Sequence, residues 1–233
     1  AMLVLQGRPM PLLKDPQPRF YFMLAAVLTL IVTVYYETVI DTVDVDPMLN
    51  GLKTCLFNVV SVMTGTGYAS APYDTWGQPM MALFLCITFV GGCAGSAAGG
   101  LKMFRLEITA KALIAYSHKM IMPHRRTPVR YGGRTLDEET LQSVMVFLFL
   151  FISTFMIAAA LLSLCGLNAM EAISASATSV SNVGPGLGER IGPSSTFQTL
   201  PDVAKWICAI AMLLGRLEFI SVFVVLTRRF WQG

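Results

Sequence analysis

The chain has 233 residues, of which 55% are hydrophobic and only 13% are charged, with a formal net charge of +3 and a mean hydropathy of +0.62. A soluble domain of this length rarely carries so few charges, and the apolar residues are concentrated in runs, so the composition indicates an integral membrane protein. No nucleophile, acid pair or metal-ligand spacing stands out, which disfavours an enzyme. The five cysteines lie in or beside apolar runs, which favours packing of small side chains.

Residues 1–19 contain four prolines among basic residues, which predicts a cytoplasmic connector. A run that starts at residue 20, free of charge to residue 36 and apolar to about residue 40, predicts a first membrane span. The apolar segment 51–63 has only about 13 residues, which at ~1.5 Å per residue is about two thirds of the hydrocarbon thickness. This segment therefore fits a re-entrant helix better than a crossing helix.

Tyr73, Asp74 and Trp76 predict an aqueous edge with interfacial aromatic rings. The uncharged residues 75–101 predict a second span. Its lower half, residues 91–100 (the glycine loop), holds five glycines, which penalise a helix by roughly 5 kcal/mol. From the residues alone an unwound loop and an intact helix with small-xxx-small packing both stay open.

The second half of the chain follows the same order. A basic stretch, partly helical to about residue 116, leads to a loop broken by proline and glycine. Thr135 and Glu138 have the spacing of a capping box, which predicts a helix start there. The predicted elements after it are a third span at 140–166, a second short helix at 168–180, an external loop at 184–201 and a fourth span at 203–226.

Both short helices end in glycine-centred turns, TGTGY at 64–68 (the first turn) and SNVGP at 181–185 (the second turn). The turns are in register, since Gly67 and Gly184 lie 117 residues apart. The chain therefore reads as span, short helix with turn, and span, repeated twice in parallel. Thirteen of the 17 Lys and Arg residues lie before the first span, between residues 102 and 134, or at the chain end, so the positive-inside rule predicts that both termini are cytoplasmic.

An ion that crosses hydrocarbon must exchange its hydration shell for other oxygens, and backbone carbonyls supply them without a full charge. Glycine permits a backbone that aims carbonyls into a pore, and irregular backbone at membrane depth is tolerated where it lines a cavity. The alternative is a pair of external turns, which two copies in register disfavour. The candidate potassium-binding residues are Thr64, Gly65, Thr66, Gly67, Asn182, Val183 and Gly184.

Arg216 lies midway along the predicted fourth span, where a charge costs about 2.5–3.5 kcal/mol. Its side chain should therefore face water or a partner, and Glu218 lies on a different helix face. Two interpretations stay open: a barrier or loop anchor beside an ion path, and a buried structural ion pair. Lys102 and Arg105 are interpreted as interfacial anchors.

Four segments make the chain resemble the C-terminal half of the TrkH family of bacterial potassium uptake proteins, in the superfamily that includes the Ktr and fungal Trk proteins. They are FNVVSVMTGTGYA at 57–69, GGCAGSAAGGLKMFR at 91–105, SNVGPGLG at 181–188 and LLGRLE at 213–218. The resemblance covers essentially the whole chain. It implies an all-α integral membrane fold with a K⁺-channel-like pore of four M1-P-M2 repeats (span, pore helix with selectivity filter, span), two of them supplied by this chain.

On this resemblance the glycine loop becomes an intramembrane gate beneath the filter. The implied domains are the connector at 1–19, a third repeat at 20–118, a basic cytoplasmic loop at 119–139 and a fourth repeat at 140–233. The implied gate residues are Gly91, Gly92, Gly95, Gly99, Gly100 and Arg216.

The implied function is potassium uptake across the bacterial inner membrane by a multi-pass protein with both termini in the cytoplasm. K⁺ is the transported ion, bound at the filter residues only, and no cofactor is held covalently. The implied partners are the missing N-terminal repeats, a second copy in a homodimer, a TrkA-like cytosolic nucleotide-binding subunit that docks on the basic loop, and membrane lipid, with no nucleic acid. A coupling ion for symport is left open.

Two other functions stay open. Two filter segments do not enclose an ion, so the first alternative is a two-repeat K⁺ channel subunit that dimerises to complete its pore. The second is a non-conducting membrane scaffold held by glycine-zipper packing, which predicts an intact helix through residues 91–100 and no ion flux.

Overall fold

The computed structural model describes residues 16–40, 47–93, 95–96, 98–122, 128–131 and 134–216. The predicted connector, apart from its last residues, and the chain beyond Arg216, including Glu218, lie outside the described residues. The helices are α1 (Pro16–Tyr35), continued by the π-helical turn Tyr36–Ile40, then α2 (Pro47–Met63), α3 (Gln78–Thr88), α4 (Met103–Ile121), α5 (Glu138–Leu164), α6 (Ala169–Ser181) and α7 (Asp202–Arg216). One antiparallel hairpin, β1 (Arg130–Tyr131) with β2 (Arg134–Thr135), interrupts the predicted all-α fold between α4 and α5.

Two described helices are long and apolar enough to cross a membrane, Gln17–Ile40 with 24 residues and Glu138–Leu164 with 27. They coincide with the predicted first and third spans. Large apolar side chains project from their outer faces, as Phe22 and Phe149 do with 67% and 71% of their surfaces exposed. A continuous outward apolar face of this kind suits contact with lipid and not with water.

The predicted second span is not one helix. α3 ends at Thr88, and the described residues from there to Met103, where α4 begins, are not helical. Each glycine in a helix interior costs about 1 kcal/mol relative to alanine, so five of them tip this stretch towards irregular backbone. The described residues of the glycine loop therefore adopt the unwound form, and the scaffold's predicted intact helix is absent from them.

The predicted capping box at Thr135 is wrong. The backbone of Thr135 belongs to β2, and α5 begins only at Glu138, with Asp137 at its N-cap. A capping box forms instead at the start of α6, where the amide of Asn168 donates to a Glu171 carboxylate oxygen at 3.2 Å. Pairing within the hairpin, which no local pattern revealed, removes Thr135 from the helix.

The two short helices end at the predicted residues, within one position, but α2 begins earlier than predicted. α2 has 17 residues and α6 has 13. At 1.5 Å per residue they are about 25 Å and 20 Å long, so both remain shorter than the roughly 30 Å of hydrocarbon.

α6 lies at the centre of the second half and contacts α3, α5 and α7. Nearly every residue from Glu171 to its end is buried, and most are alanine or serine. Small side chains let the neighbouring backbones approach, and the Ser176 hydroxyl donates to the Phe155 carbonyl in α5 at 2.7 Å. α2, in contrast, keeps an exposed apolar face that includes Leu56 and Phe57.

Tyr73 and Trp76 are buried, with 2% and 5% of their surfaces exposed, so the prediction that they are interfacial aromatics is wrong. Tyr73 stacks on Phe84 with ring centroids 4.1 Å apart, and Trp76 packs edge-on against Tyr36 at 4.9 Å. Tyr36 follows α1 and Phe84 lies in α3, so the two rings find apolar partners within the protein and not at the membrane surface.

Truncation of Trp76 to alanine is expected to destabilise the protein by about 3–5 kcal/mol, because it empties the centre of this aromatic cluster. Thermal unfolding in detergent measures the change. Trp206, which is 71% exposed on α7, supplies the matched control, and its truncation should shift the midpoint far less. Equal losses in both variants would contradict the assignment of Trp76 to the core.

Candidate ion-binding site

The two turns leave their helices with the same backbone conformation. Gly65 has a φ of 71° and Asn182, 117 positions later, has a φ of 56°. Two residues further on, Gly67 and Gly184 also have positive φ, 75° and 123°. This left-handed region favours glycine and tolerates asparagine, which explains the residue types that occupy it.

The hydrogen bonds of the two turns also match. In the first turn the amide of Gly65 donates to the Val62 carbonyl at 3.1 Å, and the amide of Thr66 donates to the Ser61 carbonyl at 3.0 Å. The residues 117 positions later repeat both bonds, at 3.2 Å and 3.1 Å. The internal repeat seen in the sequence is thus repeated in backbone geometry.

A third amide is satisfied differently in the two turns. The amide of Gly67 donates to the Ser61 carbonyl at 3.2 Å, whereas that of Gly184 donates to the Thr178 hydroxyl at 2.8 Å. The amides of residues 64–67 and 182–184 are therefore used by their own short helices. Among the described residues, no donor bonds to the carbonyl oxygens of residues 64–67 or 182–184. These oxygens are left available to an external ligand.

The fold brings the two turns side by side. Gly67 packs against the Val183 carbonyl so closely that a Cβ on Gly67 would overlap it and would lie 3.0 Å from Pro185 Cδ. A Cβ on Gly184 would lie 4.0 Å from the Cα of Gly67. In the first turn the Thr64 and Thr66 hydroxyls share a hydrogen bond of 2.7 Å. All seven candidate potassium-binding residues thus belong to one backbone cluster.

Side chains from the short helices also fix the outer ends of the turns, and sequence reasoning missed them. Asn58 in α2 donates to the Ser70 hydroxyl at 3.1 Å and accepts from the Ser70 amide at 3.0 Å. Ser174 in α6 donates to the Leu187 carbonyl and accepts from the Leu187 amide, both at 3.0 Å. Ser70 and Leu187 are again 117 residues apart, so the internal repeat could have located the anchored residues, but Asn58 and Ser174 are 116 residues apart and the repeat does not relate them.

The loops beyond the turns are joined through Asp74. Its carboxylate packs against Gly192 of the second half of the chain, so closely that a Cβ on Gly192 would overlap Asp74 Oδ2. Burial raises the pKa of Asp74 above its usual value, although nearby backbone groups act in the opposite direction. The contact ties the two halves together on the predicted external side.

The glycine loop is closed at its base by hydrogen bonds between its two ends. The amide of Gly91 donates to the Leu101 carbonyl at 2.6 Å, and the amide of Met103 donates to the Gly92 carbonyl at 3.0 Å. We call this pair of hydrogen bonds the neck of the loop. A Cβ on Gly91 would overlap the Leu101 carbonyl, so the neck requires glycine at position 91. The loop therefore holds a defined shape.

One side of the glycine loop lies against the base of both turns. A Cβ on Gly99 would overlap the Ser181 carbonyl and would lie 3.0 Å from the Asn182 Cβ. Ala98 lies 3.8 Å from the place that a Cβ of Gly65 would occupy. The predicted gate and the predicted ion-binding residues are thus in direct contact.

The remaining predicted gate glycines have different surroundings. Gly95 has a φ of 85°, and a Cβ there would meet nothing within 4 Å. Gly100 has a φ of 74° and lies beside the neck, since a Cβ on it would be 3.3 Å from the Phe89 carbonyl. Gly92 belongs to the neck through its bond from Met103.

Arg216 lines a cavity of about 210 Å³ beside the glycine loop. The cavity is also lined by Ser96, Ala98, Gly99, Gly100, Lys102, Arg105, Phe147 and Gly215. The Arg105 guanidinium lies over the Phe147 ring, 3.7 Å from its centroid. Lys102 and Arg105, which the sequence placed at the membrane surface, therefore line the same cavity as Arg216.

Comparisons with known proteins identify the family of the chain. The family model for TrkH, described as a cation transport protein, matches residues 8–232. The chain is 40% identical over 228 residues to the Trk system potassium uptake protein TrkI of Halomonas elongata, covering 98% of this chain and 45% of that protein. It is 29% identical over 234 residues to TrkH of Escherichia coli, covering 98% of this chain and 46% of the relative.

A crystal structure of the potassium transporter TrkH from Vibrio parahaemolyticus superposes with a TM-score of 0.82 at 28% identity, over 94% of this chain and 45% of that one. The chain thus spans less than half the length of the relatives that it matches. These relatives are named as potassium uptake proteins or potassium transporters and not as enzymes. The chain belongs to the TrkH family of cation transport proteins.

Proposed function

We propose that this chain is part of a protein that conducts K⁺ across the bacterial inner membrane and that the first and second turns form part of its selectivity filter. The observation that carries the proposal is the use of the backbone groups. The amides of residues 64–67 and 182–184 bond to their own helices, the carbonyls of the same residues accept nothing from the described residues, and the two turns lie side by side. A cation that sheds its water needs oxygens arranged in this way, and the relatives are named as potassium uptake proteins.

The arrangement of elements supports two M1-P-M2 repeats. In the first half a long helix, α1, precedes the short helix α2, the first turn and α3; in the second half α5 precedes α6, the second turn and α7. The matching hydrogen bonds 117 residues apart support the same division. We assign the predicted boundaries, 20–118 and 140–233, to the third and fourth repeats of a four-repeat pore.

Two turns supply oxygens on only part of the surface of an ion, so further repeats are needed to complete its coordination. An apolar groove runs beside the first turn and is lined by Lys53, Leu56, Phe57, Val60, Ser61, Thr64, Thr66 and Tyr68. The exposed apolar face of α2 is the kind of surface that another membrane repeat covers. Because the chain spans less than half of its relatives, we assign that cover to the N-terminal repeats of the full-length protein.

The glycine loop and Arg216 form the gate in this proposal. The glycine loop lies against the base of both turns, and Arg216 lines the cavity beside it, where a positive charge opposes the passage of a cation.

We further propose that both termini and the basic loop 119–139 face the cytoplasm and that a nucleotide-binding regulatory subunit docks on the basic loop. The clustering of basic residues there supports this orientation.

Tracer Rb⁺ uptake into liposomes tests the function. The full-length protein that carries this chain should take up Rb⁺, and external K⁺ should suppress the uptake more strongly than Na⁺. The 233-residue chain alone should be inactive and should recover uptake when the N-terminal half is added. Selective uptake by the chain alone would instead support the dimerising two-repeat subunit. If neither preparation took up Rb⁺, the transport proposal would be wrong.

A further inference from the structure

Asn182 occupies the position in the second turn that Gly65 occupies in the first. Both residues have left-handed backbone, with φ of 56° and 71°, and both amides make the same bond to the helix before them. Glycine therefore meets the backbone requirement at this position, as the first turn shows. Asparagine is the usual replacement for glycine at such a helix end, so the presence of asparagine at position 182 does not by itself indicate a function.

The Asn182 side chain points towards α7. Its Nδ2 donates to the Met212 carbonyl in α7 at 3.1 Å. Met212 precedes Arg216 by four residues, so this carbonyl belongs to the helical turn that ends at Arg216. The Asn182 side chain is therefore hydrogen-bonded to the last described helical turn of α7, which positions Arg216.

The close approach of α7 makes this bond possible. A Cβ on Gly215 would overlap the Val180 carbonyl and would lie 3.1 Å from Asn182 Nδ2. Glycine at position 215 thus lets the α7 backbone come within reach of the Asn182 amide. Any larger residue would push the two helices apart and stretch the bond.

The same asparagine also contacts the glycine loop, because the place of a Cβ on Gly99 lies 3.0 Å from the Asn182 Cβ. Asn182 is therefore in contact with the second turn, the glycine loop and α7. The equivalent residue in the first turn has no side chain, and a Cβ there would make only ordinary contacts of 3.8 Å. The first half of the chain lacks this three-way contact at that position.

We propose that Asn182 is a positioning residue that couples the second turn to the gate through the Arg216 turn of α7. Its backbone shapes the row of carbonyls, and its side chain sets where Arg216 stands beside the ion path. The inference rests on the proposed function. If it is correct, loss of the Asn182 side chain changes the effect of Arg216 on the rate of ion passage. The preference for K⁺ over Na⁺ is retained.

A double-mutant cycle tests the coupling by Rb⁺ uptake into liposomes with the full-length protein. The variants are Asn182→Gly, Arg216→Ala and the two combined, each compared with the parent for uptake rate and for competition by K⁺ and Na⁺. Arg216→Ala should raise the rate in the parent, and this rise should shrink about fivefold in the Asn182→Gly background, the size expected from one hydrogen bond. The competition by K⁺ and Na⁺ should be the same in Asn182→Gly as in the parent.

Ser176→Ala is the matched control, because it removes one hydrogen bond from α6 to a carbonyl of α5 and leaves α7 untouched. The effect of Arg216→Ala should be intact in that background. Asn182→Ala, which removes the same amide but keeps a side chain on the backbone, replaces Asn182→Gly if the glycine variant fails to fold. An undiminished Arg216→Ala effect in either folded variant, or loss of K⁺ preference in Asn182→Gly, would overturn the coupling alone. A parent without selective uptake would overturn the proposed function and this inference with it.

Discussion

Replacing Gly67 with serine is expected to abolish the preference for K⁺ over Na⁺ and to lower Rb⁺ uptake about tenfold or more. Gly67 has a φ of 75°, a conformation that costs a residue with a side chain about 1–2 kcal/mol. Its Cβ would also overlap the Val183 carbonyl, one of the oxygens assigned to the ion. The added atom must displace this carbonyl, and a shift well below 1 Å is enough to spoil its distance to the ion. Rb⁺ uptake with K⁺ and Na⁺ competition measures both effects.

Gly166→Ser separates the backbone penalty from the overlap. Gly166 has a φ of 88°, and a Cβ there would meet nothing within 4 Å. The variant therefore carries a similar conformational cost without displacing a carbonyl, and its uptake and ion preference should equal those of the parent. A folded Gly67→Ser protein with parental K⁺ preference would show that the first turn is not part of the filter.

Replacing Gly99 with alanine is expected to raise the basal Rb⁺ uptake about fivefold or more, because the glycine loop can no longer rest against the second turn. The φ of Gly99 lies outside the left-handed region, so alanine introduces no backbone strain. Its Cβ would overlap the Ser181 carbonyl and crowd the Asn182 Cβ at 3.0 Å. Either the loop or the turn must move, and the hydrogen bonds of Gly91 and Gly92 hold the loop at its two ends, away from Gly99. Initial rates of uptake into liposomes measure the change.

Gly95→Ala is the control for this variant within the same loop. A Cβ on Gly95 would enter open space, so the loop keeps its contact with the turns even though the φ of 85° penalises alanine there. Its uptake should stay within about twofold of the parent. Equal uptake in both variants, or a fall in Gly99→Ala without loss of protein, would contradict a gate that acts through this contact.

Local sequence patterns were sufficient for several features. The first and third spans, the ends of the two short helices and the two turns were all predicted, because apolar run length and glycine position act within a few residues. The offset of 117 residues also identified equivalent positions, and it proved to relate backbone hydrogen bonds as well as residue types. The division of the chain into repeats and the roles of the turns and the gate remain proposals.

Features that depend on contacts between distant segments were not accessible in this way. Tyr73 and Trp76 have the residue types of a membrane surface, yet packing against Phe84 and Tyr36 buries them. Thr135 has the spacing of a cap, yet pairing with Arg130 takes it into a strand. In both cases a partner brought near by folding outweighs a local preference worth about 1 kcal/mol.

The sequence by itself determined which residues have the backbone freedom and the apolar surroundings that the proposed ion site requires, since both properties belong to short stretches of chain. Only the tertiary structure decided how those stretches meet. It placed Gly67 against the Val183 carbonyl, Gly99 under the second turn, and the Asn182 amide on the α7 turn that carries Arg216. The physical reason is that close packing joins atoms whose residues are 30 to more than 100 positions apart, and no local pattern specifies which pairs will touch.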